Sequence, residues 1–212
     1  MIVYGSSLSP FVRKVLAYAG EKGIELESRP VGPGSQDPEF LEASPFRKFP
    51  AFRDGDFTVA DSSAIIAYLE AIQPEPELIP VEPRARARTI WYDEFADTIV
   101  SACGARMFFN RVVAPRFLKR DGDLAVADKA ECEELPPILD YIERVIPESG
   151  FLVEDRITLA DIAVASPFAN LRHLEVDLGE RPKLRAYVDG ILSRPSFRSW
   201  VDRETAFLAR AA

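Results

Sequence analysis

An α/β unit followed by an all-helical one is the architecture this 212-residue sequence predicts, on three observations. Hydrophobic periodicity changes repeatedly over residues 1–72, switching between the two-residue repeat of strands and the 3.6-residue repeat of helices. From about residue 84 onward it keeps the helical repeat with short breaks. Between the two, Gln73 to Pro83 holds four prolines in eleven residues, a stretch that can neither donate to a helix ladder nor continue one. The domains are therefore expected at 1–72 and 84–212, joined by a stiff linker at 73–83.

In the first unit, Ile2-Val3-Tyr4 reads as a short strand. Ser9-Pro10 then opens a helix with Val12, Val15, Leu16 and Ala19 on one face, and Gly23 ends it. Ile24 to Arg29 alternates as a second strand, and a loop through Val31-Gly32-Pro33-Gly34 leads to a short helix near Pro38 to Ala43. Pro50 to Arg53 and Phe57 to Val59 flank Asp54-Gly55, a hairpin signal. A last helix starts at Ser62 with Ile65, Leu69 and Ile72 on one face. The order β-α-β-α-β-β-α is that of the thioredoxin fold.

The second unit opens with an arginine-rich helix from about Arg84 to Phe117, roughly 50 Å long if unbroken. A helix through Leu135, Ile138, Leu139, Ile142 and Ile146 follows. Ile157-Thr158-Leu159-Ala160-Asp161-Ile162 reads as a capping box with a hydrophobic staple, starting a helix that reaches about His173. Two more helices carry Leu184 to Leu192 and Phe197 to Leu208, separated by Arg194-Pro195. Residues 84–120 hold eight Lys/Arg against three Asp/Glu, and residues 121–161 three against twelve. Solvated faces explain this, and so do oppositely charged helices that meet within or between subunits.

Composition excludes several functions. A net charge of −8 supplies no footprint for a nucleic-acid backbone. No uncharged apolar run approaches the ~20 residues of a membrane span. Cys103 and Cys132 form neither a disulfide framework nor a redox pair, and no secretory signal is read before Met1, so a reducing, cytoplasmic setting is expected. His173 is the single histidine, which excludes a multi-His metal site; helix packing or a dipole complement is the role expected of it.

Three sequence features bear on chemistry. Ser9 before Pro10 is an ordinary helix cap, yet at the end of a strand its hydroxyl and the positive helix terminus could also stabilise a sulfur anion. Ser44-Pro45-Phe46-Arg47-Lys48-Phe49-Pro50 sets Pro50 at a strand entry, where thioredoxin-like frames place a cis proline. There the Phe49 backbone could pair with an extended peptide and Lys48 with a carboxylate. Asp61-Ser62-Ser63 caps a helix whose free N–H groups and acidic neighbour would suit an amino-acid head group. A thiolate, a peptide backbone and an amino-acid head together describe glutathione.

On these residues the chain resembles the cytosolic glutathione transferases over nearly all its length. Ser9 to Val15 with Glu21-Lys22-Gly23-Ile24 looks like the opening of the tau, omega and zeta-like classes and their bacterial relatives. Ser44 to Gly55, Asp61 to Ile65, Thr158 to Asp161 and Arg194 to Phe197 match further motifs in family order. The resemblance implies a thiolate-activating Ser9, with Ser7 as its rival. It implies a glutathione site of Phe11, Lys48, Phe49, Pro50, Asp61 and Ser62, and an electrophile pocket of Phe11, Cys103, Met107 and Phe108. It also implies a homodimer that uses no metal and conjugates, or cleaves with, glutathione on a hydrophobic electrophile. A non-catalytic scaffold of the same fold is the alternative. Thiol reduction is disfavoured because omega-type members carry Cys where Ser9 stands.

Overall fold

The computed structural model describes residues 1–32 and 34–210. Pro33 of the predicted loop, and Ala211 and Ala212 of the predicted second domain, lie outside the described residues. Strand β1 (Ile2–Tyr4) pairs in parallel with β2 (Glu27–Arg29) and antiparallel with β3 (Ala51–Asp54). β3 in turn pairs antiparallel with β4 (Phe57–Ala60), giving the order β2-β1-β3-β4. With helices α1 (Pro10–Lys22), α2 (Pro38–Ala43) and α3 (Ser62–Ile72), the chain order is that of the thioredoxin fold.

Register decides what this sheet presents. Arg29, Tyr4, Ala51 and Ala60 form one row across the four strands. The residues just outside that row, Pro30, Gly5, Pro50 and Asp61, therefore gather along one end of the sheet. Gly5 sits there at φ 132°, where a Cβ would come within 2.6 Å of Val12. β2 begins three residues later than expected. The amide of Ile24 belongs to the end of α1 instead: it donates to Ala19 O at 2.8 Å beyond Gly23, whose φ of 68° makes the left-handed helix stop.

The remaining helices are α4 (Pro83–Phe95), α5 (Ser101–Phe108), α6 (Leu124–Lys129), α7 (Leu135–Val145), α8 (Leu159–His173), α9 (Pro182–Leu192) and α10 (Pro195–Arg210). α4 starts at Pro83, which the sequence reading assigned to the linker, because proline at the first helical position loses no hydrogen bond. The predicted long helix continues to Phe117, but its backbone widens into π turns at Ala96–Val100 and Phe109–Phe117, the second containing Pro115. Residues 124–134, read as no element, are helical too. Asp123 caps them through Val126 N at 3.1 Å, and a π stretch at Ala130–Glu134 precedes Pro136 and Pro137, which lack the N–H an α turn needs. The two oppositely charged runs meet within the chain, through Arg106–Glu134, Arg111–Asp128 and Arg111–Glu131. Such partly exposed pairs are worth about 1 kcal/mol or less each. Among the described residues no helix is long and apolar enough to cross a membrane.

α1 lies between the sheet and the helical unit, packed against α3, α8 and α10. Its burial includes three cations, Arg13, Lys14 and Lys22, at 0%, 1% and 3% exposure. Arg13 donates to Glu204 of α10 through Nε at 3.0 Å and Nη2 at 2.7 Å, and through Nη1 to Ser166 O at 2.6 Å and Asn170 Oδ1 at 3.0 Å. His173 sits 3.0 Å from the same carboxylate.

The capping box starts α8 as the sequence implies. Asp161 accepts the Thr158 N–H at 2.9 Å and, with its other oxygen, the Leu152 N–H at 2.8 Å. Burial pushes its pKa up to about 6 despite these bonds and those from the Thr158 and Tyr187 hydroxyls. Removing this carboxylate strands two buried amides. Asp161→Ala is expected to destabilise the protein by about 2–4 kcal/mol, measured as a lower urea midpoint at constant m; a change under 0.5 kcal/mol, the usual size for a surface substitution, would show that the box does not hold α8.

Candidate active site

Ser9 is the N-cap of α1 in an extended conformation, but its hydroxyl makes no capping bond. The helix is opened instead by Pro10 and by backbone bonds, Ser9 N to Ser6 O and Arg13 N to Ser9 O, each 3.0 Å. Ser9, its hydroxyl not engaged in capping at the helix N-terminus, lines a cavity of about 530 Å³.

That cavity lies between the sheet end and the helices. Ser6, Leu8, Ser9, Pro10 and Phe11 form one wall, with Pro30, Val31, Gly32 and Phe49 beside them. Ser101, Gly104, Ala105 and Phe108 of α5 form the opposite wall, followed by Phe109, Val113, Phe117 and Leu118. Pro167 and Asn170 of α8 and Phe207 of α10 complete it. Phe117 and Phe207 stack with centroids 5.5 Å apart. Among the described residues that line it, none is charged, so it suits an uncharged apolar ligand.

Two predicted pocket residues are not there. Cys103 and Met107 are buried at 1% and 0% exposure, and the Cys103 thiol points to Ala130 O at 3.5 Å. The reason is helical phase. α5 turns residues 101, 104, 105 and 108 to the cavity, a repeat of three and four, and residues 103 and 107 fall on the adjacent face that packs into the core. Phe11 and Phe108, by contrast, line the cavity as expected.

Ser7, the rival of Ser9, does not line the cavity. It stands instead among the groups that lower the pKa of the Glu204 carboxyl. Burial opposes ionisation of that carboxyl, but the Arg13 charge and hydrogen bonds from His173, Arg13 and Ser7 outweigh it and hold its pKa below the ordinary glutamate value.

The other predicted residues lie along the sheet end. The Phe49–Pro50 peptide is cis, and Phe49 stacks on Phe40 at 5.1 Å. Lys48 is exposed, with its N–H and C=O held by Ser44 Oγ at 2.8 and 2.9 Å. Asp61, at φ 92°, donates its N–H to Pro50 O at 3.2 Å. Its Oδ1 caps α3 by accepting Ser63 N at 2.9 Å and Ala64 N at 3.1 Å. Capping is thus one role of Asp61, and Oδ2 is the oxygen those bonds do not use.

Sequence reasoning missed what lies beneath. Lys14 Nζ bonds Asp93 and Asp97, each at 2.7 Å, and Ser63 Oγ at 3.3 Å. Ser62 Oγ and Ser63 Oγ donate to Asp97 at 3.3 Å and Asp93 at 2.6 Å. Burial raises the pKa of Asp97, with Lys14 opposing and the Asp93 and Asp61 charges reinforcing the rise. No local signal marked Lys14, because its partners stand about eighty residues away. The same holds for Asn170, which reaches the cavity wall from α8.

Because the folded Glu204 carboxyl has a depressed pKa, its stabilising contribution is present above the unfolded value of about 4.3 and is lost as pH falls through the folded one. Glu204→Gln should therefore melt below the wild type at pH 7, by an amount equivalent to about 2–4 kcal/mol, and the gap should close as the pH drops below 4. A gap that is constant with pH in calorimetric melting would rule out this linkage.

Comparison with known proteins agrees with the geometry. The profile of the glutathione S-transferase N-terminal domain matches residues 3–77, and that of the corresponding C-terminal domain matches residues 111–204. The chain is 30% identical over 207 residues to glutathione S-transferase 3 of Zea mays, covering 94% of this chain and 92% of that one. It is 29% identical over 210 residues to a glutathione S-transferase of Hyoscyamus muticus, covering 95% and 98%. A theta class glutathione S-transferase from Xanthomonas axonopodis pv. citri, solved with glutathione bound, superposes with a TM-score of 0.82 at 25% identity over 94% of this chain and 96% of that one.

Proposed function

This chain belongs to the glutathione S-transferase family and is a glutathione transferase, and from that premise we propose how its residues carry the reaction. Ser9 donates its hydroxyl to the glutathione sulfur and favours the thiolate, which attacks an electrophilic carbon of an apolar second substrate in the cavity. One observation carries this reading: an N-cap serine whose hydroxyl is not used for capping stands in the cavity wall.

The energetics are sufficient. A free thiol titrates near ~8.5. A hydrogen bond to a charged acceptor contributes roughly 1.5–3 kcal/mol, which lowers that value by about 1–2 units. The positive end of α1 acts in the same direction. The thiol proton passes to solvent. The sulfur lone pair then forms the C–S bond while the leaving group departs with the electrons of the broken bond.

Glutathione is held, in this reading, by the residues at the sheet end, within a glutathione-binding domain of residues 1–72. The Phe49 backbone beside cis Pro50 pairs with its peptide, Lys48 meets a carboxylate, and Asp61 and Ser62 at the start of α3 take the γ-glutamyl head. Phe11 bridges to the second substrate, which residues 84–212 enclose with Phe108. The uncharged lining favours a neutral hydrophobic electrophile. Lacking a cysteine at position 9 to form a mixed disulfide, the chain is not suited to thiol reduction. A cytoplasmic setting suits the two free cysteines, Cys103 and Cys132. The working unit is a homodimer, for which Phe46 at 88% exposure and Val81 at 75% offer apolar surface to bury.

Ser9→Ala is expected to raise the pKa of bound glutathione by about 1–2 units and to lower kcat toward a chromogenic aryl halide, whereas Ser7→Ala leaves that pKa in place. Ultraviolet titration of the bound thiolate with a pH–rate profile decides it. The reverse pattern would transfer the role to Ser7, and no binding of millimolar glutathione would overturn the enzyme reading. Sedimentation equilibrium at twice the chain mass is expected for the dimer.

A further inference from the structure

We propose that Ser166 and Asn170 of α8 are positioning residues for Ser9, so that the helical unit sets the geometry of the thiolate-activating hydroxyl. This rests on the assignment of Ser9 above. The two residues stand one helical turn apart on the same face of α8. Asn170 Nδ2 donates to Leu8 O at 2.9 Å, and Ser166 Oγ donates to Pro10 O at 2.7 Å. The carbonyls on either side of Ser9 are thus both held from the other half of the molecule.

The geometry follows from backbone planarity. Leu8 C=O and Ser9 N–H belong to one peptide plane. Asn170 holds its oxygen while Ser6 O accepts its N–H at 3.0 Å. Ser9 C=O belongs to the next plane and accepts Arg13 N at 3.0 Å, and the Pro10 ring fixes φ before the carbonyl that Ser166 holds. With the planes before and after it constrained, the Cα–Cβ direction of Ser9 is set and the hydroxyl is aimed by a single χ1 rotation.

The clamp is itself rigid. Ser166 and Asn170 are buried at 1% and 4% exposure. Arg13 Nη1 donates to Ser166 O and to Asn170 Oδ1, and Glu204 holds the rest of the guanidinium. Only one orientation of the Asn170 amide serves both neighbours, its oxygen toward Arg13 and its NH2 toward Leu8. Satisfying buried carbonyls is a structural need in any fold, so the test must separate positioning from stability.

A double-mutant cycle does so. Ser166→Ala and Asn170→Ala are each made in the wild-type and Ser9→Ala backgrounds. Bound-thiol pKa, kcat at a pH below that pKa, and affinity for S-methylglutathione, which has no thiol to ionise, are then measured. In the wild-type background each variant is expected to raise the thiol pKa and to lower kcat roughly tenfold, and Ser166→Ala, whose residue does not line the cavity, leaves S-methylglutathione affinity unchanged. In the Ser9→Ala background neither changes the thiol pKa or kcat further. Equal losses in both backgrounds overturn the proposal. So does an unchanged thiol pKa in both variants while Ser9→Ala raises it, a result that leaves the Ser9 assignment intact. No effect of Ser9→Ala on the thiol removes both readings together. Should Asn170→Ala fail to fold, Ser166→Ala, which deletes a single oxygen, carries the cycle alone.

Discussion

A guanidinium cannot leave water by itself, and Arg13 is fully buried where α1, α8 and α10 meet. Burying such a charge unpaired costs several kcal/mol, so its neighbours must supply a carboxylate and enough acceptors for its donors. Glu204, Ser166 and Asn170 do this from positions more than 150 residues along the chain. The constraint runs both ways. α10 must return to α1 to deliver Glu204, and α8 must lie with its 166–170 face against the loop that carries Ser9. Arg13 therefore ties the last helix, the central helix of the second unit and the first helix of the sheet unit into one arrangement.

The cleft is a consequence of that arrangement. With α8 held against the Ser9 loop, α5 and the turns that follow it close over the sheet end and leave an apolar volume between them. The π turns at Ala96–Val100 and Phe109–Phe117 matter here because they shift helical phase. The first of them lies between Asp93, which is directed at Lys14, and Ser101, Gly104 and Phe108, which line the cavity. Charge is segregated accordingly. The buried ions Arg13 and Lys14 and their carboxylates surround α1 and the start of α3, whereas among the described residues the cavity lining carries no charge, so a thiolate at Ser9 would meet a polar helix terminus on one side and hydrocarbon on the other.

The resemblance to the transferases and the local physics are separate supports. The resemblance names glutathione. The local physics gives the size of the role proposed for Ser9: a sulfur nucleophile brought by the substrate needs a lower thiol pKa, and one charge-assisted hydrogen bond at a helix N-terminus is of the right size. On the proposed reading no general base is needed, and among the described residues that line the cavity none is a histidine.

What the sequence determined by itself was everything carried by short-range pattern. The order of strands and helices, the capping box at Thr158–Asp161, the glycine stop at Gly23 and the Asp54-Gly55 hairpin all follow from spacing, caps and φ preferences within a few residues. Ser9, Phe49, Pro50 and Asp61 were legible for the same reason, because each stands at a strand end or helix start. Tertiary structure decided the rest. Which face of α5 meets the cavity is decided by how that helix packs against its neighbours, which periodicity does not reveal, so Cys103 and Met107 went to the core. Residues 124–134 lacked an apolar stripe and take their helical form against α5 and the turns after it. Lys14, Ser166 and Asn170 looked like ordinary helix residues. Their roles exist only once partners far away in sequence are brought within 3 Å or so by packing, and no local pattern encodes a distance between helices.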